Sequence, residues 1–330
     1  MSISRGAIAG SPVGDTMNGM SNQTVDALPR VLFFGMTGSF SHTILATLLA
    51  AHVPICGYIL PTAPQAEPPL QRVEPLQTTG ADDGELIILN PIRTPNSIQL
   101  AWQHNIPIFE AGNLRAPTVQ NFVAKLAPDV ACVACFSKRI PPPLLAMPHH
   151  GFLNVHPSLL PAYRGPAPLF WQWRNGETQT GVTVHWMDER LDTGPIATQA
   201  PITLPDGSTG PQADQICATV GGELLVNVLR SLGRGEVPRH SQPAGGSYQP
   251  WPQAADFALS TTWSAQRAFN FMRGTAEWGQ PYSMTIDSEQ LSLAEAVTYM
   301  PNERLGRSLL RGEEGLYIQF DPGVLHAREK

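Results

Sequence analysis

Three polar residues have the types and the spacing that acyl transfer requires. Asn154 and His156 stand two residues apart in an apolar run that reads as a strand, so their side chains point to the same side of it. An amide and an imidazole placed together can donate two hydrogen bonds to an oxygen that gains negative charge. Asp192, in Leu-Asp-Thr-Gly after the next predicted strand, supplies a carboxylate that would hold the histidine tautomer and raise the basicity of its ring. The combination suits transfer of an acyl group to an amine without a covalent enzyme intermediate.

Each of these residues also has an ordinary structural interpretation. Asn154 and His156 would then be polar turn residues at the end of a strand, and Asp192 would close a turn. For any single polar residue that interpretation is the better one. The occurrence of all three in this arrangement favours a catalytic site.

The segments that carry the three residues resemble the signature of the formyltransferases that depend on 10-formyltetrahydrofolate. They are residues 152–165, FLNVHPSLLPAYRG, and residues 181–195, GVTVHWMDERLDTGP. The resemblance implies transfer of a formyl group from 10-formyltetrahydrofolate, as cosubstrate, to a primary amine without a metal. It implies that Asn154, His156 and Asp192 are the catalytic residues. It also implies that the folate pocket is lined by Arg139, Ile140, Pro141, Ser158, Leu159, Leu160, Pro161, Glu189 and Leu191.

The resemblance leaves the amine acceptor open. Residues 263–274 are similar to the start of the C-terminal domain of the family members that act on methionyl-tRNA, which implies initiator methionyl-tRNA as the acceptor. Residues 61–90, where those enzymes carry a basic loop, and residues 257–330 are both acidic on balance, which disfavours contact with phosphate. One alternative acceptor is therefore a small amine such as an amino sugar. Another is water, which would make the protein a 10-formyltetrahydrofolate hydrolase. A folate-binding scaffold protein is the alternative that is not an enzyme.

The apolar pattern predicts the elements that must position these residues. Apolar runs alternate with helix-like segments over residues 31–136, which predicts a mostly parallel, Rossmann-like α/β sheet, with residues 61–84 as a long loop. Short strands and turns near the C-terminus predict a second, smaller β-rich domain. The expected organisation is a disordered tail at residues 1–29, a catalytic domain at 30–237, a linker at 238–256 and the β-rich domain at 257–330.

Composition excludes several functional classes. The chain has 330 residues, of which 42% are hydrophobic and 15% charged, as is typical of a globular protein. A net charge of −6 removes the general attraction to phosphate, so DNA is not an expected partner and any contact with RNA requires a local patch. No apolar run approaches the ~20 residues that cross a membrane, and the first residues lack the apolar centre of a signal peptide. The expected location is the cytoplasm, with no membrane contact.

Two further motifs predict no additional cofactor. Cys132 and Cys135 have the spacing of a metal pair, but residues three apart on a strand face opposite sides, so both are expected in the core and no metal is expected. Gly35 and Gly38, after the first predicted strand, lack the third glycine of a dinucleotide-binding turn. No nicotinamide cofactor is predicted.

Overall fold

A computed structural model describes residues 27–75 and 96–330. Nearly all of the predicted N-terminal tail, and the part of the predicted acidic loop beyond residue 75, lie outside the described residues. Within the described ranges the chain builds two β-sheets, and the helices of the first part of the chain cover both faces of the first sheet.

The first sheet has eight strands in the order β3-β4-β2-β1-β5-β6-β7-β8. Strands β1, β2, β4, β5 and β6 run parallel, whereas β3, β7 and β8 are antiparallel to their neighbours, which confirms the predicted mostly parallel sheet. The strands are β1 (Val31–Gly35), β2 (Ile55–Pro61), β3 (Leu70–Val73), β4 (Ile108–Ala111), β5 (Val130–Ala134), β6 (Phe152–His156), β7 (Gln179–Trp186) and β8 (Ile196–Thr203).

Strand β3 lies in the segment that the sequence predicts as loop. It is a short edge strand whose side chains are exposed or only half-buried, so it lacks the apolar alternation that identifies a strand from sequence. The prediction of a loop throughout residues 61–84 was therefore wrong.

Helices connect most of these strands, and two more follow the last of them. They are α1 (Ser39–Ala50), α2 (Ser97–Gln103), α3 (Pro117–Leu126), α4 (Pro142–Leu145), α5 (Pro168–Asn175), α6 (Gly210–Gly233) and α7 (Ala265–Thr275). The longest, α6, begins with a capping box between Thr209 and Gln212. Two adjacent glycines let it lie close to its neighbours, since a Cβ on Gly221 would come within 2.5 Å of Val155 and one on Gly222 within 2.9 Å of Thr47.

Helix α6 is also long and apolar enough to cross a membrane by length and composition. Half of its apolar stretch is buried inside the protein, where it packs on α1 and on β6, β7 and β8. Burial of this kind is typical of the central helix of a protein core, which meets the same criteria of length and hydropathy.

The second sheet consists of five antiparallel strands near the C-terminus. Their order is β11-β12-β13-β10-β9, and every pairing between them is antiparallel. The strands are β9 (Tyr282–Ile286), β10 (Glu289–Met300), β11 (Leu309–Gly312), β12 (Gly315–Gln319) and β13 (Val324–Glu329). The predicted β-rich second region is therefore confirmed.

The two sheets are joined through a shared aromatic core between α5 and α7. The ring of Phe170 on α5 lies 5.3 Å from that of Phe271 on α7 and 5.1 Å from that of Phe257. The guanidinium Nε of Arg267 donates to the carbonyl oxygen of Arg174 at 2.9 Å, across the same contact. The predicted division of the chain into two domains stays a prediction, because one hydrophobic cluster runs through both sheets.

Residues 238–253, which the sequence places in a linker, are held against the first sheet; we call them the crossing segment. His240 and Ile196 on β8 exchange two backbone hydrogen bonds of 2.8 Å, and Arg164 and Tyr248 form a second bridge. Arg239 stacks over the ring of Trp186 at 4.0 Å. The segment therefore passes beside the loops that follow β6 and β7.

Candidate active site

A cavity of about 600 Å³ opens beyond the carboxyl ends of the central strands. Met36 follows β1, Cys135 follows β5, and Asn154 and His156 lie on β6; all four line the cavity. Strand β2 pairs with one edge of β1, and β5 pairs with the opposite edge. The direction in which the chain adds strands to the sheet therefore reverses at β1. Ligands of open α/β sheets bind at such a reversal.

Asn154 is oriented by a histidine on the neighbouring strand. Asn154 on β6 and His185 on β7 are direct partners in an antiparallel pair, and the Asn154 amide nitrogen lies 3.2 Å from His185 Nε2. His185 Nδ1 lies 2.9 Å from the carbonyl oxygen of Trp186, and the same Nε2 lies 3.5 Å from Oδ1 of Asp192. One ring nitrogen can take at most one of the two N–H groups of the Asn154 amide, which leaves the other available to a ligand.

His156 has an acceptor beside each of its ring nitrogens. Nε2 donates to the carbonyl oxygen of Tyr163 at 2.9 Å, and Nδ1 lies 3.8 Å from Oδ2 of Asp192. Burial lowers the pKa of His156 below its usual value, with a smaller opposing effect from the Asp192 carboxylate. The ring is therefore neutral near pH 7, and a proton that arrives at Nδ1 would face a carboxylate.

This geometry changes the expected role of Asp192. The Nδ1–Oδ2 distance is too long for a hydrogen bond, so the Tyr163 carbonyl fixes the tautomer of neutral His156 and Asp192 acts on the ring through its charge. Burial raises the pKa of the Asp192 carboxyl, but His156, His185 and the hydrogen bond from the Gly165 N–H outweigh burial and hold that pKa well below its usual range. Asp192 is consequently a carboxylate at neutral pH.

Three residues beside these groups have a left-handed backbone. The φ angle is 57° at Tyr163, 54° at Asp192 and 57° at Cys135. Such a conformation costs about 1–2 kcal/mol for a residue other than glycine, and strain of this kind clusters at functional sites. The left-handed backbone at these three residues therefore lowers the stability of the folded protein.

Part of the predicted folate-lining set lies in the cavity wall. Arg139, Ile140, Glu189 and Leu191 line the cavity, and a guanidinium nitrogen of Arg139 donates to the Glu189 carbonyl oxygen. The predicted catalytic residues Asn154, His156 and Asp192 line the same cavity. The structure thus brings these two groups of predicted residues together.

The remaining predicted lining residues lie elsewhere. Pro141 caps α4, and Ser158, Leu159, Leu160 and Pro161 form a turn beyond β6 that is not part of the cavity wall. The Leu160 N–H donates to Thr183 Oγ1 at 3.1 Å, and Ser158 Oγ donates to the Ala162 carbonyl oxygen at 2.8 Å. This turn faces β7 and holds the end of the β6 strand. Contact of Pro141, Ser158, Leu159, Leu160 and Pro161 with the folate stays a prediction.

Several residues of the site carry no readable signal in the sequence. His185 stands within the motif, but its contact with Asn154 depends on the register between β6 and β7, which the sequence does not reveal. Tyr163 contributes only its carbonyl oxygen, for which side-chain identity gives no information. Cys135 was expected in the core, yet it lies just past the end of β5 and is exposed in the cavity, while Cys132 is buried as expected.

A second group of cavity residues combines aromatic rings with two carboxylates. It contains Asp214 on α6, Glu277 after α7, and the rings of Phe40, Trp251 and Trp278. Burial raises the pKa of Asp214 to about 6, and the charge of Glu277 contributes to the same rise. No hydrogen bond or ion pair joins the Asp214 carboxylate to another described residue. This part of the cavity is therefore apolar with a negative potential.

We expect Asp214→Asn to stabilise the protein at pH 7.5. The raised pKa means that the fold favours the protonated carboxyl, so ionisation above pH 6 costs stability and the cost disappears as pH falls toward the unfolded value of 3.8. Solvent contact weakens the effect, and we expect about 1–2 kcal/mol from a shift of this size. Thermal unfolding at pH 7.5 and pH 4 measures it.

The exposed Glu223, on the same helix, supplies the control variant Glu223→Gln. We expect that variant to match the wild-type melting temperature at both pH values. A destabilised Asp214→Asn variant at pH 7.5, or a gain that is equal at both pH values, would show that the ionised carboxylate carries no such cost.

Comparison with known proteins identifies related chains. The family model for formyl transferase matches residues 63–229. A methionyl-tRNA formyltransferase of Synechococcus sp. (strain JA-3-3Ab) is 35% identical over 313 residues, covering 91% of this chain and 89% of the relative. A methionyl-tRNA formyltransferase of Pelotomaculum thermopropionicum is 37% identical over 180 residues, which cover 54% of this chain and 58% of that relative.

Solved structures share the fold at low sequence identity. An N-formyltransferase from Helicobacter canadensis, solved with folinic acid and dTDP-3-aminofucose, aligns with a TM-score of 0.63 at 16% identity, covering 91% of this chain and 99% of that one. A methionyl-tRNA formyltransferase from Clostridium thermocellum aligns with a TM-score of 0.52 at 11% identity, covering 92% of this chain and 100% of that one. At such low sequence identities these two matches show only that the fold is shared.

Proposed function

This chain belongs to the formyl transferase family, and we propose that it formylates the α-amino group of initiator methionyl-tRNA. It is an enzyme that uses 10-formyltetrahydrofolate as the formyl donor. The observation that carries the acceptor is the extent of the similarity: the match to a methionyl-tRNA formyltransferase covers 91% of this chain. We place this activity in the cytoplasm, where the acceptor tRNA is aminoacylated with methionine.

The residues that line the cavity fit a folate donor. Lys138, Arg139 and Arg190 are cationic residues of the cavity wall and complement the carboxylates of the folate tail. Val133, Ile140 and other apolar residues of the wall offer surface to its rings, and a volume of about 600 Å³ lies within the range of small-molecule pockets.

We assign the catalytic steps to Asn154, His156 and Asp192. The bound donor supplies the formyl carbon and a nitrogen leaving group. Asn154 donates its free N–H to the formyl oxygen as the amine adds to the carbon and negative charge develops there. His156 takes the proton released by the attacking nitrogen at Nδ1, where Asp192 stabilises the resulting imidazolium, and then passes a proton to the leaving nitrogen.

The second group of cavity residues suits the amine acceptor. Asp214 and Glu277 give this part of the cavity a negative potential, which attracts an amine in its charged form. The ammonium group loses one proton to solvent before its nitrogen attacks, and His156 takes the second proton as the amide forms. The apolar residues Met36 and Phe40 offer contact to an uncharged side chain next to that amine. An aminoacyl group matches this combination of an amine and an apolar side chain.

Formylation assays with a panel of acceptors test the proposal. The protein is incubated with 10-formyltetrahydrofolate and with methionyl-initiator tRNA, methionyl-elongator tRNA, an amino sugar nucleotide or buffer alone. We expect transfer to the methionyl-initiator tRNA, with a KM that rises steeply between low and physiological salt because phosphate contacts release counterions. Transfer to the amino sugar alone would refute the acceptor, and release of formate in buffer alone at a comparable rate would favour a hydrolase.

A further prediction concerns Trp251, a cavity residue with 57% of its surface exposed. Its ring lies 5.1 Å from that of Trp278, so the pair presents an aromatic surface on which a nucleobase of the acceptor can stack. Stacking on an aromatic residue contributes about 1–3 kcal/mol per base, so we expect Trp251→Ala to raise the KM for methionyl-tRNA roughly 5- to 150-fold. Steady-state kinetics with each substrate varied in turn measures the change.

Tyr248 provides the matched control for this variant. It is an exposed aromatic residue of the same crossing segment but does not line the cavity, so Tyr248→Ala should leave the KM for methionyl-tRNA unchanged. The KM for the folate donor should stay near the wild-type value in both variants. A Trp251→Ala enzyme with a normal KM for methionyl-tRNA would rule out stacking on this surface.

A further inference from the structure

The loops that carry the two groups flanking His156, the Tyr163 carbonyl and the Asp192 carboxylate, are both held by one segment of the chain. The crossing segment reaches the Tyr163 side through Ser247, whose Oγ accepts from the Tyr163 N–H at 2.8 Å. It reaches the Asp192 side through Gln242, whose Nε2 donates to the carbonyl oxygens of Asp192 and Gly194, both at 2.8 Å. The acceptors on the two sides of His156 are therefore held by the same stretch of residues.

Gln242 uses the two ends of its amide for two different loops. While its Nε2 donates to the loop between β7 and β8, its Oε1 accepts from Arg164 Nε at 3.1 Å and from an Arg164 terminal nitrogen at 2.6 Å. Arg164 follows directly after Tyr163, whose carbonyl oxygen accepts from His156. A single half-buried side chain thus joins the loop of Asp192 to the loop of Tyr163.

We propose that Gln242 is a positioning residue for catalysis, because it holds the Asp192 carboxylate at its distance from His156. The two carbonyl oxygens that it binds flank Thr193, and they fix the backbone where Asp192 has its left-handed φ of 54°. Without these hydrogen bonds, Asp192 can relax toward the more common right-handed region, and its carboxylate then turns with the backbone. Gln242 itself is not among the residues that line the cavity, so its effect reaches the reaction through Asp192.

The proposal rests on the proposed catalytic roles of His156 and Asp192, and two substitutions separate its elements. Gln242→Glu keeps an acceptor for Arg164 but places a carboxylate oxygen against the two carbonyl oxygens. Gln242→Leu has a similar volume and removes both sets of hydrogen bonds. Gln249→Leu is the control, since Gln249 lies on the same segment and its side chain forms no hydrogen bond with a described residue.

The kinetic experiment measures kcat, KM and the melting temperature of each variant. We expect kcat to fall roughly 10- to 100-fold in both Gln242 variants, the loss that a displacement of about 1 Å in a catalytic group produces, with KM for each substrate within about threefold of wild type. Gln249→Leu should retain wild-type kcat. A decrease in activity that only follows the loss of folded protein, or an increase in KM with kcat unchanged, would overturn the proposal.

A second measurement does not depend on the acceptor. NMR titration of His156 in the wild type and in Gln242→Leu reports on the position of the Asp192 carboxylate, because Asp192 raises the pKa of His156 while burial and His185 lower it. If Asp192 moves away, His156 titrates at a lower pH than in the wild type, while Gln249→Leu matches the wild type. An unchanged His156 titration would overturn the positioning role. Absence of methionyl-tRNA formylation in the wild type would instead refute only the proposed function.

Discussion

Replacing His156 with Ala is expected to lower kcat/KM for formyl transfer at least about 100-fold while the protein remains folded. The variant removes a ring whose Nδ1 faces the Asp192 carboxylate and whose Nε2 donates to the Tyr163 carbonyl oxygen. Without it the attacking amine has no base at this position, and the proton must go to water. Steady-state kinetics at saturating donor, together with circular dichroism, provides the measurement.

His149 supplies a control for this experiment. It is exposed, lies just before β6 and does not line the cavity, so His149→Ala should keep full activity. Asp192→Asn should lose a similar factor to His156→Ala, since the neutral amide cannot stabilise an imidazolium. Near-normal turnover in either active-site variant would remove the catalytic assignment.

Replacing Phe271 with Ala is expected to destabilise the whole protein by about 3–5 kcal/mol, the usual range for removing a buried phenylalanine. Phe271 on α7 is fully buried, and its ring lies 5.3 Å from Phe170 on α5 and 5.7 Å from Tyr282 on β9. The residue therefore lies between helix α5 of the first part of the chain and strand β9 of the second sheet. We expect urea denaturation to show both parts of the chain unfolding at a lower concentration in the variant.

The half-buried Phe269 on the same helix gives a matched comparison. Its ring lies 5.2 Å from Tyr299 rather than in the shared core, so Phe269→Ala should cost clearly less stability. The informative result is the shape of the transition. If Phe271→Ala destabilised only the second sheet and left the unfolding and folate binding of the first sheet unchanged, the shared core would not couple the two.

Local periodicity accounts for what the sequence predicts correctly. The alternation of apolar runs and helical segments identifies the parallel sheet, and the two-residue spacing of Asn154 and His156 places both on one side of β6. Both features depend only on residues close together along the chain. The position of Asn154 and His156 on one side of the same strand, and the mostly parallel sheet, can therefore be predicted from the amino-acid sequence.

The features that cannot be predicted from the sequence depend on residues far apart along the chain or on backbone groups alone. The contact of Asn154 with His185 needs the register of β6 against β7, and the tautomer of His156 is set by a carbonyl oxygen. Gln242 lies in a stretch of Pro, Gly and Ser that predicts a linker, although its amide joins two loops of the site. Composition describes how flexible a segment is when it is unbound, and it does not reveal what the segment binds.

The position of the crossing segment has a consequence for synthesis of the protein. Asn154, His156 and Asp192 leave the ribosome before Gln242, which holds the Asp192 loop, and before Trp251 and Glu277, which line the cavity. At roughly 5–20 residues per second, translation separates His156 from Gln242 by several seconds. The nascent chain therefore carries its proposed catalytic side chains for that interval without the contacts of Gln242. If the proposed role of Gln242 holds, we expect the activity to be acquired late in translation, after residues 242–277 have folded against the first sheet.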